Sequence, residues 1–227
     1  MDSTELYQHF RSQVDDVAQP YLWSDDEVWR YAGDAYRMFA RLTGGIADFT
    51  SDATRITVTT GEPTGDVSRS ILRIMTAHRM SDGFELSIIN QTDLTTTVGA
   101  RDYGRMLQRA NVPLPGPVEY LLIGRQKGLA HFLAIPIADD EIQLSIYRLP
   151  LVVPTGEGQT LDEIDEEHHI HLVLWMKHLA YSKHDVETAN EEKSAKFKRD
   201  FEVYCASAKA EWDRMKHKNR VVSYGGI

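Results

Sequence analysis

The 227-residue chain carries 34 acidic residues against 25 lysines and arginines, a net charge of −9, with 42% hydrophobic residues and one cysteine. This length and apolar content suffice for one large domain or two small ones, while no run approaches the ~18 apolar residues of a membrane span. The acid excess argues against a protein that binds nucleic acid by releasing phosphate counterions. The lone Cys205 excludes an internal disulfide and fits a chain made in a reducing cytoplasm.

The charge is unevenly spread. Residues 1–52 hold ten acids and four bases, residues 53–155 ten of each, and residues 156–227 fourteen acids and eleven bases. The N-terminus, residues 1–5, is acidic and lacks an apolar signal-peptide core. A helix is expected over residues 2–17, with Leu6, Phe10, Val14 and Val17 on one face, ending before Pro20. Ser24-Asp25-Asp26-Glu27 reads as a capping box opening a second helix. Val28, Tyr31, Ala35, Phe39 and Leu42 form its buried face, and Gly44-Gly45 stops it.

From Thr54 the period changes to two. Arg55-Ile56-Thr57-Val58-Thr59 alternates as a half-buried strand, and residues 61–65 form a turn cluster. Residues 70–78 and 84–89 flank Ser81-Asp82-Gly83 as a hairpin. Residues 118–123, 129–135 and 142–149 follow, and the whole reads as an antiparallel meander ending at Pro150.

Helical chemistry returns with a second possible capping box, Thr160-Leu161-Asp162-Glu163. Leu172, Met176 and Leu179, with Trp175 and Ala180 beside them, mark the buried face of a helix running to Ser182. A long helix over residues 188–218 carries one apolar stripe of Phe197, Phe201, Tyr204, Cys205, Ala208, Trp212 and Met215, with Cys205 as a small core residue. Beyond it, Val221, Val222, Ser223, Tyr224, Gly225 and Gly226 lead to Ile227 and read as an extended arm that docks on a partner.

The expected fold class is therefore α+β: an antiparallel bundle of about four helices from both chain ends, with an inserted antiparallel β-domain. The segments are 1–52 (N-terminal helices), 53–155 (β-domain), 156–218 (C-terminal helices) and 219–227 (docking arm).

Three stretches carry a resemblance: residues 20–28 entering the second helix; Ile146-Tyr147-Arg148-Leu149-Pro150; and residues 174–183 with the acid-rich start of the last helix and the closing Val221-Val222-Ser223-Tyr224-Gly225-Gly226. In this order and spacing the chain resembles the head-to-tail adaptor (connector) proteins of tailed bacteriophages that carry a β insertion. The resemblance implies a structural, non-enzymatic virion protein at the head–tail junction, synthesised in the host cytoplasm. It further implies a homo-oligomeric ring, a dodecamer in the family, docked beneath the portal protein. That ring would offer a surface to a downstream tail component, nozzle or tail tube, and genomic DNA would pass its lumen without specific binding. No membrane and no cofactor are implied.

The rival from another class is a small metal-dependent hydrolase, because His168, His171 and His178 share a helix face with acids nearby. The tighter HExxH spacing is absent, and the apolar stripe leaves these histidines at the surface or a subunit contact. Arg101, Arg105 and Arg109 form a second stripe, read as solvated or protein-facing. The glycine-rich turns at 61–65 and 156–158 lack the residues of a phosphate-cradling loop, and no serine sits in a nucleophile elbow.

Overall fold

The computed structural model describes residues 1–91, 111–183 and 189–216. The fold is α+β and divides into two units, one built from Met1–Gly45 with the described residues from Pro150 onward, the other from Ile46–Leu149.

The first unit holds α1 (Ser3–Gln13), α2 (Asp25–Thr43), α3 (Glu166–Ser182) and α4 (Glu191–Lys216). Both N-terminal helices open with a full capping box. Asp2 accepts the Glu5 N–H while Glu5 returns to the Asp2 N–H, and Ser24 and Glu27 do the same for α2. Gly44 ends α2 in the left-handed region (φ 99°), where a side chain would be strained. Helix α1 stops earlier than the periodicity predicts. Its last turn gives way at Asp15, which has φ 56°, so Leu6, Phe10 and Val14 are buried while Val17 stands 68% exposed.

The four helices share one core that includes Leu6, Phe10, Val28, Ala35, Phe39, Leu172, Met176, Phe201 and Cys205. Helices α3 and α4 run antiparallel, since Tyr181, Trp175 and His171 meet Phe197, Phe201 and Tyr204 in turn. The second expected capping box does not form. The Glu163 carboxylate accepts the backbone N–H groups of Leu151 and Val152 instead, and the N–H groups of Glu163 and Ile164 donate to the Tyr36 hydroxyl (both 3.1 Å). Burial pushes that phenol up to about 12, so it stays a neutral acceptor. Helix α3 starts later, after Asp165, whose side chain makes no cap bond.

A buried ionic knot fastens the α1–α2 connection. The Arg11 guanidinium donates to Asp16 and to the Trp23 carbonyl (2.7 Å), and reaches Asp25 at 2.7 Å and the Tyr7 hydroxyl at 3.0 Å. Asp16 also accepts the Leu22 N–H at 2.8 Å, which ties the loop to the end of α1.

The second unit is built around β10 (Asp140–Arg148), whose alternation buries Ile142, Leu144 and Ile146. One side of β10 pairs antiparallel with β4 (Ile71–Arg79). The other side is shared by β1 (Ile46–Asp48) and β2 (Arg55–Val58). A second sheet runs β3 (Thr64–Asp66), β8 (Leu129–Phe132), β7 (Tyr120–Gln126) and β5 (Ser87–Asn90). A small third sheet pairs β6 (Leu114–Gly116) with β9 (Ala134–Pro136).

Two expectations are corrected here. The β5–β7 and β6–β9 pairs are parallel, so the unit is not purely antiparallel. Nor is it a simple meander, since β10 turns away from β8 and β9 to join β1, β2 and β4. The hairpin at 81–83 does begin, with the Leu86 N–H donating to the Ala77 carbonyl at 2.8 Å, but the returning strand then leaves for β7. Alternation fixes which face of a strand is buried and is silent about its neighbour.

Gly65 is dictated by close approach: a Cβ there would lie 2.5 Å from Ile56 Cγ2 and 3.0 Å from the Thr57 carbonyl. Arg148 closes the unit on Asp48 through a buried ion pair. Burial alone would raise the Asp48 carboxyl. Hydrogen bonds from Ser51, Arg148 and the Thr50 and Ser51 backbone outweigh it and hold the group well below the usual carboxylate range.

Candidate functional site

The histidines of α3 are the best case for chemistry, and the structure gives each a packing partner. His168 is 4% exposed, packs against Phe39, and sets Nδ1 2.8 Å from the Tyr204 hydroxyl. His169, also 4% exposed, donates through Nε2 to the Leu161 and Ile164 carbonyls at 3.1 and 2.8 Å, bracing the loop that leads into the helix. His171 stacks on Tyr204 with centroids 3.5 Å apart. His178 donates through Nδ1 to Ser194 Oγ at 2.8 Å. The expectation that His168, His171 and His178 lie at the surface or a subunit contact is thus corrected for His168, which is buried within the helical unit. Helix α3 is enclosed on more sides than one stripe predicts, because α1, α2 and α4 all pack against it.

Burial pushes the His171 imidazole below its ordinary range, helped by neighbouring His168, and burial does the same to His178. His168 and His171 share Tyr204, while His169 and His178 are engaged by the Leu161 and Ile164 carbonyls and by Ser194. Among the described residues, no three His, Cys, Asp or Glu side chains are grouped to hold a metal ion. Cys205 lies within the same interface, and burial pushes its thiol up to about 12, far from a reactive thiolate.

What the unit does present is surface. Along α4, Phe201, Cys205 and Ala208 are buried, Trp212 is half-buried, and Met215 is 77% exposed. The stripe outruns its support: the 26 residues of α4 span about 39 Å and the 17 of α3 about 26 Å. Met215 was expected in the buried stripe and is not. Val221, Val222, Ser223, Tyr224, Gly225 and Gly226 lie outside the described residues, as do Arg101, Arg105 and Arg109.

Comparison with known families bears on the whole of this arrangement. The profile of the SU10 adaptor protein family matches residues 1–221. The chain belongs to that family. A comparison with curated proteins gives no match. SU10 adaptors are phage head–tail adaptors, so the chain has the structural role of a phage adaptor and belongs in the virion. The match takes in both units, and it stops at Val221, leaving most of the expected arm beyond it. Among the described residues no helix is long and apolar enough to cross a membrane.

Proposed function

We propose that this SU10 adaptor is one subunit of a closed ring that joins the portal of the capsid to the tail and leaves a lumen for DNA. The observation that carries the proposal is the family match over residues 1–221, which spans the helical unit and the β-unit inserted within it. Ring closure needs heterologous contacts repeated around an axis, and such contacts need two different faces on one chain. A helical unit with acid excess and a separate β-unit meet that need.

Val221, Val222, Ser223, Tyr224, Gly225 and Gly226 act as the docking arm on the portal. Backbone hydrogen bonds along a groove or sheet edge supply affinity there, and the Val222 and Tyr224 side chains add contact area. The helix before the arm is anchored by Phe201, Cys205 and Ala208 on the core of the helical unit. The ring is a dodecamer by family resemblance, and its far face receives the downstream tail component, nozzle or tail tube. Genomic DNA slides through a lumen whose wall carries more acids than bases, since like charge repels the duplex. The deciding experiment deletes residues 221–227. The truncated protein folds with an unchanged melting curve and no longer co-sediments with portal rings. Retention at wild-type affinity would refute the arm's role.

A further inference from the structure

We infer that a basic groove on the β-unit is the receiving half of the subunit–subunit contact, and that it takes the acid cluster at the start of α3 from a second copy of this chain. The inference rests on the ring reading above. The groove, of about 370 Å³, lies between β4 and the β7–β8 turn and is lined by Arg69, Arg73 and Lys127 together with Leu72, Ile74 and Ile123; among the described residues no acid lines it. The three cations are exposed. Ion pairs in this unit use Arg55, Arg79 and Arg148, and none of the three groove cations enters one among the described residues. Like charges gathered around an apolar patch repel in the free subunit and are relieved by an acidic partner.

The geometry also says how that partner binds. The pairing of β4 with β10 shifts register at two points, skipping Leu72 and Met75, which stand 40% and 44% exposed. Bulges of this kind spoil an edge for strand addition, so side-chain contact is the mode left. The same chain offers Asp162, Asp165 and Glu167, all exposed, at the entrance to α3, beside Glu166, which pairs with the Met1 ammonium of its own chain. Groove and cluster are different surfaces, so one copy's cluster in the next copy's groove is the heterologous contact a ring repeats. A phosphate backbone fits less well, because the lining is apolar as well as cationic.

The test uses full-length protein and sedimentation velocity at low and physiological salt. Wild type self-associates, and more weakly as salt rises. Arg69→Glu/Arg73→Glu/Lys127→Glu weakens association by at least about tenfold, as does Asp162→Lys/Asp165→Lys/Glu167→Lys, with melting curves unchanged. Mixing the two reversed proteins restores assembly, because alternating copies again oppose unlike charges. Rings that form normally from either variant alone, or a mixture that stays dissociated, overturn the inference while leaving the ring intact. A wild type that stays monomeric at millimolar concentration overturns the ring reading as well. Loss of duplex-DNA binding by the groove variant, with assembly unaffected, assigns the groove to phosphates and also overturns it.

Discussion

Replacing Arg11 by Met removes the cation that neutralises Asp16 inside the helical unit. Arg11 is 4% and Asp16 3% exposed, so the carboxylate left behind cannot recover its hydration. Breaking a buried pair from one side costs about 3–5 kcal/mol. Here the Leu22 and Trp23 N–H groups still hold Asp16, and Asp25 stands in solvent, which favours the low end, about 3 kcal/mol. For a unit of this size that lowers the melting temperature by about 10 °C. Asp16→Asn in the Arg11→Met background removes the stranded charge and keeps an acceptor for Leu22, so the double variant is more stable than Arg11→Met alone. Urea unfolding of the four proteins measures the coupling. Arg11→Met losing less than about 1 kcal/mol, or strictly additive effects, would refute the account of this knot.

Further outcomes follow from the same contacts. Ser24→Ala lowers stability by about 1 kcal/mol, because the α2 cap loses its acceptor for the Glu27 N–H; an unchanged melting curve would place the start of α2 elsewhere. The His171 and His178 imidazoles have folded-state pKa values below their unfolded value of about 6.5, so the unfolded chain takes up protons first and stability falls as pH drops through that value. A His171→Gln/His178→Gln variant flattens the dependence of the urea midpoint between about pH 7 and 5, and an unchanged slope would contradict it. The purified chain carries no stoichiometric metal by elemental analysis; about one tightly held zinc per chain would revive the hydrolase reading.

Local chemistry was legible where a few neighbouring residues decide it. Ser24 and Glu27 opened α2 as their spacing predicts, Gly44 closed it, and the alternation at Ile56 and Val58 marked a buried strand face. Distant partners decided the rest. Glu163 has the spacing of a capping residue, yet it is claimed by the N–H groups of Leu151 and Val152, while Tyr36 takes its own N–H. The stripe on α4 continues to Met215 although the helix supporting it ends sooner. His168 looks solvated beside glutamates, and Phe39 of α2 and Tyr204 of α4 bury it. The Arg11 knot and the Asp48–Arg148 pair join residues that no periodicity links, the second across 100 positions. An arginine on a mainly apolar helix face, followed by Asp16, is the one local sign that could have pointed to the first.

The central claim is a ring between portal and tail with a DNA-repelling lumen and an arm on the portal. A cryo-electron-microscopy reconstruction of the head–tail junction tests it most directly. The account predicts a closed ring coaxial with the portal. Residues 221–226 should lie against portal subunits, acids should outnumber bases on the wall, and Arg101, Arg105 and Arg109 should sit away from the DNA. Those arginines lining the DNA path, or an arm buried within its own ring and clear of the portal, would contradict it.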